Sequence, residues 1–444
     1  MECKTVEELL SNIEAAIDND GIVKNEAAFR EEAIDVLVYN AVLALSEDVR
    51  CKARALIRTG AKALGVRSDS IQGLYEAMGR GEASGFTVPA INIRGLTFDT
   101  ARAVFRAAAK NDSGAFIFEI AKSEIGYTEQ RPDEYSAVII AAALKEGYKG
   151  PVFIQGDHFQ VNAAKYKEDP DCEIASLKSL IKEGIEGEFY NIDIDASTVV
   201  DLSKPSVQEE QEPNYKITAE LTSFIRSLEP AGMTVSVGGE IGEVGKKNST
   251  EEELRAFMDG LNAELKEGVT GISKISIQTG TAHGGVVMPD GSIASVKVDF
   301  DIIEKLTKVS REVYGLSGVV QHGASTLPDD AFHVFPERGA SEVHLATGFQ
   351  NMIYDSASFP SALKDEIYAH LKDAHKAEWK DDLTEEQFIY KTRKKGFGPF
   401  KKKMWDLPID IRESIGKELE DRFDMLFKNL RCVDNTALVK KFVA

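Results

Sequence analysis

Between residues 88 and 345 the chain repeats one alternation: a short apolar run, then a longer stretch with apolar residues at helical spacing. The eight runs are Val88–Asn92, Ala115–Glu119, Val152–Gly156, Phe189–Asp193, Thr234–Gly238, Ile272–Ile277, Gly318–Gln321 and Glu342–Leu345. The stretches between and among them include Asp99–Lys110, Asp133–Glu146, Ala175–Glu183, Ile217–Leu228, Glu251–Lys266, Phe300–Val313 and Asp329–Arg338. Short apolar strands separated by amphipathic helices are buried in a parallel sheet whose crossovers cover it. Eight such units are the number that closes a barrel. An open, doubly wound sheet would normally carry a glycine-rich phosphate turn after its first strand. Here Asn92-Ile93-Arg94-Gly95 stands in that place. The predicted fold is α/β: a (β/α)8 TIM barrel over residues 76–360, with helical extensions at both ends.

The N-terminal extension, residues 1–75, carries apolar residues at helix spacing around Leu9, Val36 and Leu56, with no clear strand run. The C-terminal extension, residues 361–444, is charged and helix-like. It contains a basic stretch: Lys391, Arg393, Lys394, Lys395, Lys401, Lys402 and Lys403 around Gly396–Phe400. That stretch reads either as a solvated loop or as an electropositive patch facing a phosphorylated substrate or a neighbouring subunit.

Charge excludes one class of partner. With 53 basic and 73 acidic residues the net charge is −20, a poor match for a phosphate backbone. No run of ~18 apolar residues is present, so no membrane span is expected. The first residues lack an apolar signal core, and a cytoplasmic location is expected. The four cysteines are scattered without a CxxC pair, which points to neither a disulfide framework nor a thiolate zinc site.

Three of the seven histidines share a local pattern: Gly156-Asp157-His158, Ala282-His283-Gly284 and Gln321-His322-Gly323. Each lies beside glycine, just past an apolar run. In a (β/α)8 barrel that is the C-terminal end of a strand, where active sites lie. Three imidazoles make a catalytic zinc site with one open position. Asp157 is placed for proton transfer, with a supporting role behind the ligand as the alternative. Glu240 is an alternative metal ligand, and Asp195 a contact for substrate or a second, monovalent cation. Gly284, Gly323, Ser325, Ala346 and Thr347 follow the late strands, where backbone N–H groups and hydroxyls suit a phosphate. His333, His370 and His375 fall in helix-like stretches and are read as surface residues.

At these residues the chain resembles the zinc-dependent class II aldolases, which act on fructose bisphosphate or tagatose bisphosphate. Val88-Pro89-Ala90-Ile91-Asn92 is similar to that family's first strand, which makes Asn92 a substrate contact. Asp157-His158 resembles its acid/base and zinc-ligand pair. Ile194-Asp195-Ala196-Ser197, Gly239-Glu240-Ile241-Gly242, Gly280-Thr281-Ala282-His283-Gly284 and Gln321-His322-Gly323-Ala324-Ser325 resemble its later elements. His344 stands where the family usually has Asn, and is expected to face the site and tune substrate choice. Ser123 is a further candidate for substrate or phosphate binding, and its stretch Glu119-Ile120-Ala121-Lys122-Ser123 also resembles the accessory subunit of tagatose-bisphosphate aldolase, so a non-catalytic supporting role is the rival reading. The resemblance implies one zinc per chain and reversible cleavage of a ketose bisphosphate, foremost fructose 1,6-bisphosphate. The products are dihydroxyacetone phosphate and glyceraldehyde 3-phosphate. It also implies a homo-oligomer, dimer or tetramer.

Overall fold

The structure, a computed structural model, describes residues 2–242, 247–280, 288 and 298–443. Nine strands are found among them: β1 (Val66–Asp69), β2 (Val88–Asn92), β3 (Ile117–Ala121), β4 (Gly150–Gln160), β5 (Asn191–Asp195), β6 (Ser236–Glu240), β7 (Lys274–Ile277), β8 (Val319–Gln321) and β9 (Glu342–Leu345). All pairings between them are parallel. β2 through β9 pair in sequence order, and β9 returns to β2 with Ala90 opposite His344, which closes an eight-stranded barrel. Each of these strands overlaps its expected run. Strands β2, β3, β5 and β6 are buried at every position, as a sheet covered on both faces requires.

β1 corrects the expectation that the first 75 residues hold no strand. Val66–Asp69 pairs with the first part of β4, Val66 opposite Gly150, below the point where β5 joins at Gln155. Only Val66 in this run is apolar, so alternation could not mark it. Asp69 O accepts from Asn191 Nδ2, and Ser70 Oγ accepts from Ser236 N, which ties the wedge to the neighbouring strands. The helix Gln72–Gly79 follows and places Tyr75 under the barrel, where its hydroxyl donates to Glu342 Oε2. A second correction concerns Asp329–Arg338, which holds a 3-10 turn at Asp329–Ala331 and a short helix at Val334–Glu337 rather than one helix.

Both extensions share the barrel's apolar core. Arg54 and Arg58 of the helix Glu47–Ala63 reach Asp133 and Glu134 in the first turn of the barrel helix Pro132–Lys145. The long C-terminal helix Ile409–Asn429 lies along the barrel helix Thr97–Asn111. Arg412 pairs with Asp99 at 3.0 Å, and Arg106 with Glu420 at 2.6 Å. The chain then crosses the face where the strands begin: Thr87 N donates to Leu430 O, and Gly114 N to Asn435 Oδ1. Among the described residues no helix is long and apolar enough to cross a membrane.

Candidate active site

Successive residues of a strand face opposite sides, so Asp157 and His158 could not both enter the barrel mouth from a regular β4. A bulge solves this. Gly156 pairs with Ile192 and Phe159 with Ile194, so Asp157 and His158 together oppose the single residue Asp193. His158 takes the left-handed conformation, φ 41°. An L-residue adopts it at a cost of about 1 kcal/mol or more. The bulge brings both side chains to one cavity.

That cavity, about 640 Å³, opens at the C-terminal ends of the strands. Asn92, Ser123, Asp157, His158, His322, Gly323, Ser325, His344, Ala346 and Thr347 all line it. Asp195 and Glu240 stand behind this surface. Asp195 Oδ2 lies 3.2 Å from His158 Nδ1, and its other oxygen accepts from Ser197 Oγ at 2.7 Å. Glu240 Oε2 is 3.8 Å from His158 Nδ1 and 3.7 Å from His322 Nε2. His283 and Gly284 lie outside the described residues.

Of the three expected zinc ligands, the two that are described, His158 and His322, suit a metal. Their outer nitrogens are engaged: His158 Nδ1 faces Asp195, and His322 Nε2 faces Ser276 Oγ at 3.1 Å. Their inner nitrogens, His158 Nε2 and His322 Nδ1, stand 3.1 Å apart. Two lone pairs at that distance repel unless a proton or a cation lies between them. Donors on a tetrahedral zinc with bonds of about 2.0–2.1 Å are separated by roughly 3.4 Å. Asp157, His158 and His322 also bring one ligand atom each within 4.8 Å of the others. Outer partners of this kind fix ring orientation and tautomer in metal sites. Burial disfavours the His158 cation, but Asp157, Asp195 and Glu240 outweigh it and raise its pKa well above the usual value. Burial would raise Asp195, yet its contacts with His158 hold it below the usual carboxylate range.

Several residues of the pocket escaped sequence reasoning. Arg94, in the loop after β2, pairs with Glu124 at 2.7 Å and donates to Gln350 Oε1 at 2.8 Å and Thr347 Oγ1 at 3.4 Å. Lys394 comes from the C-terminal extension and lines the same cavity, 5.7 Å from the centre of the Tyr127 ring. In the basic stretch Arg393, Lys395, Lys401, Lys402 and Lys403 each meet a carboxylate. Lys394 meets none among the described residues. Burial and the nearby Arg94 lower its pKa. Arg94, Lys394 and Glu124 therefore leave one positive charge in excess on this wall, next to Thr347. Ser325 Oγ accepts from Ala346 N at 2.7 Å, so the Ala346 N–H is spent on Ser325 while the Ser325 hydroxyl keeps its own proton to donate.

His344 faces the site, 3.3 Å from Asp157 Oδ1 and 2.9 Å from Glu119 Oε2 through Nδ1. Burial disfavours its cation, but Glu119 and Glu342 raise its pKa well above the usual value. Burial pushes Glu119 up to about 8, with Asp157 adding to the effect and His344 opposing it.

Comparison with known proteins agrees with this architecture. A search of curated proteins finds no match to the sequence. The fold is similar to that of the YdjI aldolase of Escherichia coli K12: 14% identity, 83% of this chain and 100% of that one covered, TM-score 0.50. It is also similar to the fructuronate-tagaturonate epimerase UxaE of Cohnella laeviribosi: 12% identity, 86% of each chain covered, TM-score 0.58. At such identities the likeness is one of fold. The sequence itself is more specific: residues 73–405, with the bulge, His158, His322 and Lys394 included, match the family described as fructose-bisphosphate aldolase class-II, and the chain belongs to that family.

Proposed function

We propose that the protein is a metal-dependent aldolase that cleaves a phosphorylated ketose, foremost fructose 1,6-bisphosphate, to dihydroxyacetone phosphate and glyceraldehyde 3-phosphate. The observation that carries this reading is the β4 bulge, which sets a carboxylate beside a histidine whose inner nitrogen lies 3.1 Å from that of a second histidine. His158 and His322 would hold the metal, with His283 as third ligand and Glu240 as alternative. When bound, zinc supplies Lewis-acid polarisation of the substrate carbonyl. Asp157 takes the proton of the C4 hydroxyl, the C3–C4 bond breaks, and its electron pair stays with the dihydroxyacetone phosphate fragment, which takes up a proton from solvent at C3 before release. In condensation Asp157 returns that proton to the aldehyde oxygen. Ser325 and Thr347 donate to the phosphate, while Arg94 and Lys394 balance its charge.

A second reading shares this chemistry. If the fragments recombine with the opposite face of the aldehyde presented, the product is the C4 epimer. UxaE carries out an epimerisation on the same fold, and the cationic wall suits a carboxylate as well as a phosphate. A purely supporting subunit fits less well, because it needs neither the strained bulge nor the paired imidazoles.

Ketose bisphosphates, ketose monophosphates and ketouronates should be assayed with and without a chelator, products being identified by NMR. The expected result is chelator-sensitive cleavage of a bisphosphate. Asp157→Asn should keep its metal and lose roughly 100-fold in kcat. Lys394→Met should raise KM about tenfold with kcat little changed, as expected for one charge-assisted contact of ~1.5 kcal/mol. Full activity after exhaustive chelation rules the assignment out, and epimer without free aldehyde selects the second reading.

A further inference from the structure

Beneath the floor of the pocket the barrel is filled by charge rather than by the branched hydrocarbon common in such interiors. Lys274, on β7, is 1% exposed. Its ammonium lies 2.7 Å from Gln155 Oε1, 2.6 Å from Glu342 Oε1 and 3.0 Å from Asp193 Oδ2. Two of its donors reach acceptors, on Gln155 and Glu342, and the Asp193 carboxylate stands beside it as a counter-charge. Gly238 makes room for the last pair: a Cβ there would fall 2.3 Å from Asp193 Oδ1 and 2.9 Å from Lys274 Cε.

Two arms leave this hub. Lys274 holds Gln155 by its carbonyl oxygen, which turns the amide nitrogen toward Glu119 Oε2 at 3.1 Å. Lys274 also holds Glu342, whose Oε1 is 2.6 Å from His344 Nε2. The arms meet at His344 Nδ1, 2.9 Å from Glu119 Oε2 and 3.3 Å from Asp157 Oδ1. Five strands contribute: β3, β4, β5, β7 and β9. Well-packed apolar residues would fill this volume without the desolvation that buried charges incur, so stability alone does not account for the arrangement. What the network does that hydrocarbon could not is fix polar side chains in one orientation each.

We propose that Lys274 is a positioning residue for Asp157: through Gln155–Glu119 and Glu342–His344 it sets the carboxylate in the orientation that proton transfer requires. This rests on the reading of Asp157 as the proton carrier.

The test uses Lys274→Met and the double variant K274M/E342Q, in the full-length, metal-loaded protein. The single variant leaves the Glu342 and Asp193 carboxylates without the ammonium between them and can fail to fold, whereas the double variant also removes the charge of Glu342 and leaves Asp193 facing His344 Nε2 at 3.8 Å. Tm, metal content, kcat, KM and crystal structures are to be measured. The double variant is expected to regain stability and full metal content. Its kcat should stay roughly 100-fold low with KM within about threefold of wild type, the signature of a misplaced reacting group. Its Asp157 carboxylate should leave the His344 edge by more than about 0.5 Å. Recovery of kcat together with Tm, or an Asp157 carboxylate that has not moved, overturns the inference. The carboxylate's position is read without any turnover. If the wild-type protein cleaves no ketose, the proposed activity fails while this measurement still judges the inference.

Discussion

Glu119 is a carboxyl whose burial couples the stability of the barrel to pH. Unfolded, it ionises near 4.5; folded, burial and the neighbouring Asp157 let it keep its proton up to about 8. Across that window the unfolded chain binds fewer protons than the folded one. The contribution of Glu119 to stability is therefore fully present below 4.5 and is lost as pH rises through about 8. Glu119→Gln, which imitates the neutral acid, should match wild type in metal-free denaturation at about pH 5 and exceed it at about pH 9. Equal stability at both values would mean that the folded protein tolerates the ionised form. The sequence carries only a trace of the roles of Glu119, Lys274 and Glu342. Each is a charged residue inside an apolar strand run: Ile117-Phe118-Glu119, Ser273-Lys274-Ile275 and Glu342-Val343. A charge at a strand position must find a partner or face water. Which partner it finds depends on the barrel's register, and one sequence does not contain that register. Asp157, His158 and His322 were legible because their chemistry is local, a ligand type beside glycine at a strand end.

At the level of elements, β4 is the part on which the site depends. Its bulge imposes a left-handed backbone at His158, a conformation that costs a side chain with a Cβ. The ordinary order of alanine above glycine should therefore invert. His158→Gly should be more stable than His158→Ala by about 1 kcal/mol in chemical denaturation, because both lack the ring and only alanine keeps a Cβ at positive φ. Alanine as stable as glycine would show that the backbone relaxes when the ring is removed. The sequence announced the eight barrel strands through their apolar runs. It concealed β1, whose Arg67-Ser68-Asp69 is polar and whose burial comes from filling the gap between β4 and β5. It likewise concealed the approach of Lys394 to the pocket. The 3-10 turn Arg393–Gly396 delivers that lysine, and Arg393 is anchored to Asp355 by two contacts at 2.8 and 3.2 Å.

For the whole molecule, the proposed metal binding is coupled to folding. The histidines come from strands distant in sequence, so the unfolded chain offers no preformed site, and zinc should stabilise the native state. Free zinc at 100 times its Kd is expected to add about 2.7 kcal/mol, read as a rise in Tm that disappears in His322→Ala. A Tm that ignores zinc would place the ion elsewhere or nowhere. Residues 430–436 cross the face where the strands begin, at Thr87 and Gly114, while the cavity opens at the other face. A linker leaving from this end therefore departs on the side away from the substrate. Protein captured on a bead or electrode through such a linker should turn its pocket to the solution and work at the speed of free protein, whereas amine coupling that reaches Lys122 or Lys394 should blind it.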